Sequence, residues 1–108
     1  MNWTINYSEK AFNDLKAIYE YIAFELCVPN TASEQVTRIM DSVKTLDRMP
    51  MMHPVYPEEP WKSKGIRFFP IDNYLVWYQL QEKQKTVNIV RIMYGGRDIE
   101  KQLDSTPQ

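Results

Sequence analysis

Polar and apolar residues alternate at the start of the chain, where every second residue of 2–7 is apolar. This period of two is typical of a half-buried strand. Ser8 then offers a favourable helix N-cap, and apolar residues recur at spacings of three and four as far as Leu26. This spacing predicts an amphipathic helix of about five turns.

A second stretch with the same helical spacing follows after Pro29 and Asn30 interrupt the pattern. The segment Thr31-Ala-Ser-Glu34 matches a capping box, so we expect the second helix to start there. Its apolar stripe continues to Met49, and Pro50 ends it. Two amphipathic helices joined by a few residues predict an antiparallel helical hairpin.

The second half of the chain predicts a loop followed by strands. Residues 50–64 contain four of the seven prolines and no sustained period, which indicates a loop. Residues 65–71 are a strand candidate, although Pro70 requires a position where its missing N–H is not needed. Residues 74–80 and 86–94 are dense in β-branched and aromatic residues and are the strongest strands. These three strands predict an antiparallel meander.

Together these elements predict one α+β domain over residues 1–108. An N-terminal strand, an antiparallel helical hairpin and a three-stranded meander would form a four-stranded sheet with the hairpin on one face. We expect strand one to pair with a later strand and the other sheet face to be left for a partner. A short terminal helix is expected over residues 97–103, followed by a flexible tail at about 104–108.

The composition is that of a globular domain, with 44% hydrophobic residues and a net charge of −1. The charge is unevenly distributed. Residues 1–60 carry five Lys and Arg against nine Asp and Glu, whereas residues 61–108 carry eight against five. An acidic chain is not drawn to nucleic acid as a whole, but its second half could present a local cationic face.

The single cysteine and the single histidine exclude several kinds of site. Cys27 cannot form an internal disulfide or a cysteine zinc site, and we expect it to be buried as a small hydrophobe. His53 falls in the proline-rich loop, where a surface histidine without a function is expected. We therefore expect no metal and no cofactor. Because the chain has neither a signal peptide pattern nor an apolar run of membrane-spanning length, we expect a cytoplasmic protein without membrane contact.

Polar residues gather around the end of the last strand, which is the strongest candidate for chemistry. Arg guanidinium groups bind phosphate or carboxylate and stay charged at physiological pH. An arginine within an apolar strand can also reach across the sheet to a carboxylate, such as Asp98 or an acid of the hairpin. The target-binding candidates are Arg67, Arg91, Tyr94, Arg97, Lys62 and Lys64.

Several short segments occur in a recognisable order: Tyr7-Ser8, Ala11, Asp14-Leu15, Tyr21-Ile22-Ala23, Leu46, Pro50, Arg67, Asn73-Tyr74, Tyr78 and Arg91-Ile92-Met93-Tyr94-Gly95-Gly96-Arg97-Asp98-Ile99. With these segments the chain resembles the RelE/ParE superfamily of toxins from bacterial toxin–antitoxin pairs, also called plasmid stabilisation proteins. The resemblance runs from residue 3 to about residue 103. It implies the fold described above, and a cognate antitoxin as partner.

Two activities are known on this fold, and the residues at particular positions differ between the proteins that have one and those that have the other. The ribosome-dependent mRNA endoribonucleases carry basic residues where this chain has Leu75, Ile66 and Phe68, and some have a terminal Tyr where it has Leu103. Only Arg97 matches a basic position. Strand cleavage needs a base, an acid and a group that stabilises a dianionic phosphorane. The catalytic candidates for that alternative are Arg91, Tyr94 and Arg97.

The segments GIRFFPIDNYLVWYQL and IVRIMYGGRD look more like the ParE branch, whose members block DNA gyrase by binding and hydrolyse nothing. We therefore expect a ParE-like toxin that arrests growth through gyrase. The alternatives are the ribosome-dependent endoribonuclease and a non-toxic relative that serves as a binding module. Whether the chain is an enzyme stays open, and a homodimer is a further option.

An apolar surface for the antitoxin is expected around the second helix and the proline-rich loop. Methionine side chains adapt to varied partners, and a contiguous exposed apolar patch indicates an interaction site. An alternative is that these residues only close the core. The expected antitoxin contacts are Met40, Met49, Met52, Tyr56 and Trp61, with Met51 and Val55 beside them.

Overall fold

The structure, a computed structural model, describes residues 2–95. Its elements follow the predicted order and form an α+β fold. Strand β1 and two helices come first, and a long loop then leads to three further strands. The elements are β1 (Thr4–Tyr7), α1 (Glu9–Glu20), a π-helical segment (Tyr21–Glu25), α2 (Pro29–Lys44), a 3₁₀ turn (Thr45–Asp47), β2 (Arg67–Ile71), β3 (Tyr74–Gln81) and β4 (Thr86–Tyr94). The expected helix over 97–103 lies outside the described residues.

Ser8 begins α1 as predicted and also ties it to the sheet. Its Oγ accepts a hydrogen bond from the N–H of Ala11 at 3.0 Å and donates one to the carbonyl of Val90 at 3.0 Å. One side chain therefore satisfies an open helix donor and an open strand acceptor. Ala11 and Leu15, one helical turn apart, face the core.

The start of α2 differs from the sequence prediction. The helix begins at Pro29, ahead of the predicted capping box at Thr31, because proline has no N–H to lose and is favoured in the first turn. The turn before it requires a left-handed residue, and Cys27 takes that conformation with φ of 59°. Cys27 is exposed, so the expectation that it is buried is wrong.

The sheet has the order β1-β4-β3-β2. The three later strands form the predicted antiparallel meander, and β1 pairs with β4 in parallel, from Thr4 opposite Thr86 to Tyr7 opposite Ile89. The sheet is therefore mixed. Parallel pairing is possible because the intervening helices return the chain to its starting edge, where the N–H of Trp3 donates to the carbonyl of Asp47 at 2.7 Å.

The edge position of β2 explains why a strand can contain Pro70. The N–H of Phe68 points away from β3 and donates to the carbonyl of Pro54 at 3.1 Å. Pro70 lies two residues further along β2, so its nitrogen also points to the outer edge. The missing N–H therefore costs no hydrogen bond within the sheet.

Two apolar cores cover the two faces of the sheet. The larger core joins α1 and α2 to inward-facing residues of β3 and β4, among them Val76, Tyr78 and Ile92. The smaller core lies on the opposite face, where the proline-rich loop covers Trp77 with Trp61. That face is therefore not left open for a partner. Trp61 is only 4% exposed, so its expected place on an exposed antitoxin surface is wrong.

A β-bulge in β4 changes which residues of the strand face each of the two cores. Ile89 and Ile92 both face the helices, although strict alternation would put residues three apart on opposite faces. The register shifts between Trp77 and Tyr78 of β3, which leaves Val90 as the extra residue. Bulges redirect side chains, and here the bulge comes directly before Arg91.

No helix in residues 2–95 is both long enough and apolar enough to cross a lipid bilayer.

We expect Ser8→Ala to lower the free energy of unfolding by about 1 to 2 kcal/mol, because α1 loses its N-cap and the Val90 carbonyl loses a donor. Urea denaturation measures this loss. Ser33→Ala is the matched control, since Ser33 is exposed on α2. Equal losses in the two variants would contradict the assignment.

Candidate functional site

Arg91 holds the fold together through an ion pair with Asp14. Its Nε and Nη2 donate to the two carboxylate oxygens of Asp14 at 2.8 and 3.0 Å, a bidentate geometry. The two side chains are only 14% and 16% exposed. The sequence left two roles open for Arg91, binding an anionic target or pairing with a carboxylate. The structure shows the second, with an acid of the helical hairpin as the partner.

Asp14 also supplies a hydrogen-bond acceptor to β4 at a point beyond the end of β1. The carboxylate accepts a hydrogen bond from the backbone N–H of Ile92 at 3.0 Å. Strand β1 ends opposite Ile89, so an N–H further along β4 has no strand partner on that side. A side chain of α1 thus replaces the missing strand.

Arg67 organises the proline-rich loop. Its Nη1 donates to the carbonyl of His53 at 2.6 Å and approaches that of Met51 at 3.4 Å. The hydroxyl of Tyr78 donates to the carbonyl of Pro50 at 2.8 Å. Burial raises the pKa of Tyr78 to about 12, although the nearby Arg67 guanidinium acts in the opposite direction. The phenol therefore stays protonated as a donor.

His53 is a packing residue of the same loop. Its ring stacks on Phe69 with the ring centroids 4.3 Å apart and contacts Tyr78 edge-on at 6.3 Å. Partial burial lowers the pKa of His53 below its usual value of 6.5. The loop held in this way leaves three methionine side chains more than half exposed, namely Met49, Met51 and Met52.

Two of the predicted basic residues, Lys62 and Lys64, lie away from Tyr94. The carbonyl of Lys64 accepts a hydrogen bond from Gln79, and its ammonium group lies 5.3 Å from the ring centroid of Trp61. Tyr94 is opposite Tyr74, five residues back along β3 from Gln79. At about 3.4 Å per residue this separates the two places by about 17 Å. Lys62 is exposed on the same loop as Lys64, and Arg97 lies outside the described residues.

Tyr94 instead belongs to a groove between the helical hairpin and one end of the sheet. The tyrosine is 62% exposed, and its ring lies edge-on to that of Tyr74 with the centroids 6.0 Å apart. The groove has a volume of about 730 Å³, and Tyr21 of the π-helical segment lines its other side. We call it the tyrosine groove. From the sequence, Tyr21 and Tyr74 belong to segments that resemble the toxin superfamily, but neither is predicted as a site residue.

A second groove runs between α1 and α2 and has a volume of about 330 Å³. We call it the helix groove. Phe12 and Met40 on its rim are 62% and 45% exposed. Of the expected antitoxin contacts, only Met40 lines this groove. Its lining residues are Tyr7, Phe12, Leu15, Lys16, Tyr19, Val36 and Met40.

The remaining expected antitoxin contacts lie elsewhere. Met49 and Met52 are exposed on or beside the proline-rich loop, and Val55 and Tyr56 are half-buried. Tyr56 packs edge-on against Phe68 with the centroids 5.2 Å apart. Within residues 2–95, His, Cys, Asp and Glu form no group of three or more that could hold a metal ion.

We expect Asp14→Asn to lower the free energy of unfolding by about 3 kcal/mol, because it leaves the Arg91 charge buried with a weaker acceptor. Urea denaturation measures the loss. The pair is tested by a double-mutant cycle with Asp14→Leu and Arg91→Met, in which the double variant is expected to be more stable than Asp14→Leu alone. Strictly additive losses would argue against a direct pairing.

His53 makes stability depend on pH. Because the folded state lowers its pKa below 6.5, the unfolded chain takes up a proton first as the pH falls. We expect protonation of His53 in the unfolded chain to lower the free energy of unfolding below about pH 6.5 and to have no effect above about pH 7.5. Unfolding free energies of the parent and of His53→Gln at pH 5.0 and 7.5 isolate it. The parent should lose more stability on acidification than the variant; an equal loss would refute the assignment.

Comparison with known proteins agrees with this architecture. The family model for the ParE toxin of the type II toxin–antitoxin system parDE matches residues 5–99. A solved structure of the chromosomal ParDE system from P. aeruginosa aligns with a TM-score of 0.72 at 25% identity, covering 87% of this chain and 97% of that one. No curated protein matches significantly.

Two RelE-type structures share the fold. The toxin–antitoxin complex RelBE2 from Mycobacterium tuberculosis aligns with a TM-score of 0.63 at 17% identity, covering 87% of this chain and 92% of that one. A free mutant of the E. coli toxin RelE aligns with a TM-score of 0.66 at 10% identity, covering 94% and 93%. Since the family model spans nearly the whole sequence, the chain belongs to the ParE toxin family of type II toxin–antitoxin systems.

Proposed function

We propose that this toxin arrests growth by binding DNA gyrase and does not cleave mRNA. The observation that carries the proposal is the Arg91–Asp14 ion pair, in which the central arginine of β4 serves the fold. An arginine held by a carboxylate is a poor partner for a phosphate, because the two anions compete for the same donors.

The surroundings of Tyr94 support the same conclusion. The single histidine packs on Phe69 and Tyr78, and Tyr78 lies four residues along β3 from Tyr74, the partner of Tyr94. At about 3.4 Å per residue, His53 is too far away to exchange a proton with a substrate at Tyr94. Leu75, beside Tyr74, is half-buried and apolar. His53 is therefore not placed to act as the base for a ribose hydroxyl at this end of the sheet.

The gyrase proposal predicts that the purified full-length chain inhibits gyrase supercoiling at micromolar concentration. Mapping of mRNA 5′ ends after induction should reveal no new ends positioned by codons. Unchanged supercoiling together with such new ends would favour the endoribonuclease instead. Normal growth without the antitoxin would indicate a non-toxic relative.

Arg97 lies outside the described residues, and we propose it as a target contact from the sequence alone. If its guanidinium contacts the target, Arg97→Ala should weaken inhibition by about tenfold or more while the melting temperature stays unchanged. Lys83→Ala is the charge-matched control, because Lys83 is exposed in the turn between β3 and β4. A variant with a lowered melting temperature and proportionally lowered toxicity would make Arg97 a structural residue.

We further propose that the cognate antitoxin covers the helix groove. Related solved structures include the toxin–antitoxin complex RelBE2, and an amphipathic helix laid into an apolar groove is a common mode of peptide recognition. Phe12 and Met40 supply the exposed apolar rim. Met49, just before the proline-rich loop, and Met52 within it are further candidate contacts.

Met40→Glu places a charge on the rim of the helix groove. We expect it to weaken antitoxin binding by about tenfold or more, because the charge would have to be desolvated under the partner. Calorimetric titration with the cognate antitoxin measures the change. Thr37→Glu, exposed on α2 outside the groove, should bind as the parent does. Equal effects of the two substitutions would remove the helix groove from the interface.

A further inference from the structure

The turn between β2 and β3 is tied to α2 by two hydrogen bonds to Asp72. Gln35 and Arg38 lie about one helical turn apart on α2, and the Nε2 of one and the Nε of the other donate to the same carboxylate oxygen, both at 2.8 Å. These bonds lower the pKa of Asp72, so the carboxylate stays charged at physiological pH. The backbone of Asp72 is left-handed, with φ of 54°. Two side chains of the helix thus hold a residue in an uncommon conformation.

The second residue of the same turn holds the end of β4. The N–H of Gly95 donates to the carbonyl of Asn73 at 2.8 Å, one residue beyond the last pair of the ladder, in which Tyr74 lies opposite Tyr94. The two segments approach closely here, since a Cβ on Gly95 would lie 3.3 Å from the Asn73 oxygen and 3.4 Å from Cγ of Leu75. The turn therefore limits the paths that the backbone can take at Gly95.

The end of β4 leads to residues that the sequence predicts for target binding. Tyr94 is the last residue of the strand, and its ring lies edge-on to that of Tyr74, which directly follows the turn. Gly96 and Arg97 continue the chain from Gly95. A constraint on Gly95 therefore acts two residues before the guanidinium that we propose as a target contact.

The bonds between α2 and Asp72 lie at the surface. The side chains of Arg38 and Asp72 are 55% and 36% exposed, and an exposed ion pair adds little to the stability of a protein. Residues held in uncommon backbone conformations by their surroundings are frequent at functional sites. The contacts of Asp72 therefore matter more for the orientation of the turn than for the stability of the fold.

We propose that Asp72 is a positioning residue for target binding, which holds the end of β4 through Asn73 and the hydrogen bond to Gly95. The inference rests on the proposed function in one respect, namely that Arg97 contacts the target. Asp72 acts without touching the target. Without the bonds from α2, the turn is held by the strands alone, so the backbone at Gly95 samples more conformations and Arg97 is presented less uniformly.

The test removes the contact from the α2 side in the full-length chain. Gln35→Ala/Arg38→Met deletes both donors and leaves the sequence of the turn intact. Lys44→Met is the control for the loss of a cation, because Lys44 is exposed in the last turn of α2. Hydrogen exchange followed by NMR reports on the Gly95 amide. We expect this amide to exchange about tenfold faster in the double variant but not in the control, with melting temperatures close to that of the parent.

Inhibition of gyrase supercoiling measures the effect on target binding. We expect Gln35→Ala/Arg38→Met to weaken inhibition by about threefold or more, whereas in an Arg97→Ala background the same substitutions should cause no further loss. General damage to the fold would instead weaken both backgrounds equally. Asp72→Gly also removes the contact, and glycine tolerates the left-handed backbone, so this variant should match the double variant.

Three results would overturn the proposal. One is an unchanged exchange rate of the Gly95 amide in Gln35→Ala/Arg38→Met, and another is an equal loss of inhibition in the parent and Arg97→Ala backgrounds. The third is a loss of inhibition in Asp72→Gly alone, which would make Asp72 a direct contact of the target. A parent chain that leaves supercoiling unchanged would refute the gyrase proposal instead. Growth arrest after induction then replaces supercoiling as the readout for the same variants.

Discussion

The contact between Asp14 and β4 is the constraint on which the rest of the structure depends. One carboxylate accepts two hydrogen bonds from Arg91 and a third from the backbone of Ile92, so it neutralises a buried charge and closes an open strand edge at once. The bulge at Val90 brings the arginine into position, and Ser8 anchors the start of α1 to the same stretch of strand. The orientation of the helical hairpin on the sheet, and with it both grooves, follows from this attachment.

The helices cover only one face of the sheet, and the proline-rich loop covers apolar residues on the other. Trp61 covers Trp77 on the far face, and the Arg67 bonds to loop carbonyls keep the segment in place without regular secondary structure. The indole N–H of Trp77 is buried there without a hydrogen-bond partner, a cost that the surrounding apolar packing must offset. A long loop is thereby part of the core, and its methionines remain available at the surface.

The two grooves differ in the chemistry of the side chains that line them. The helix groove is almost wholly apolar and suits the apolar face of a helix. The tyrosine groove combines aromatic and aliphatic side chains with the amides of Gln35 and Asn73. The arginines of the described sheet serve the fold, as Arg91 and Arg67 illustrate. On the described surface, the two grooves therefore offer apolar and aromatic side chains to a partner.

Local patterns in the sequence predicted the elements, because strand alternation, helical spacing, the Ser8 cap and turn residues act over only a few neighbours. The meander and the hairpin followed from them, whereas the family followed from the resemblance of several short segments in a fixed order. Other features depend on residues far apart in sequence. The parallel pairing of β1, the burial of Trp61 beneath the far face, the exposed turn at Cys27 and the pairing of Arg91 with Asp14 were decided only by the tertiary structure. The sequence around an arginine in an apolar strand is the same whether the arginine binds a target or an acid of the hairpin. Here 77 residues separate Arg91 from Asp14, so no local pattern could show that they pair.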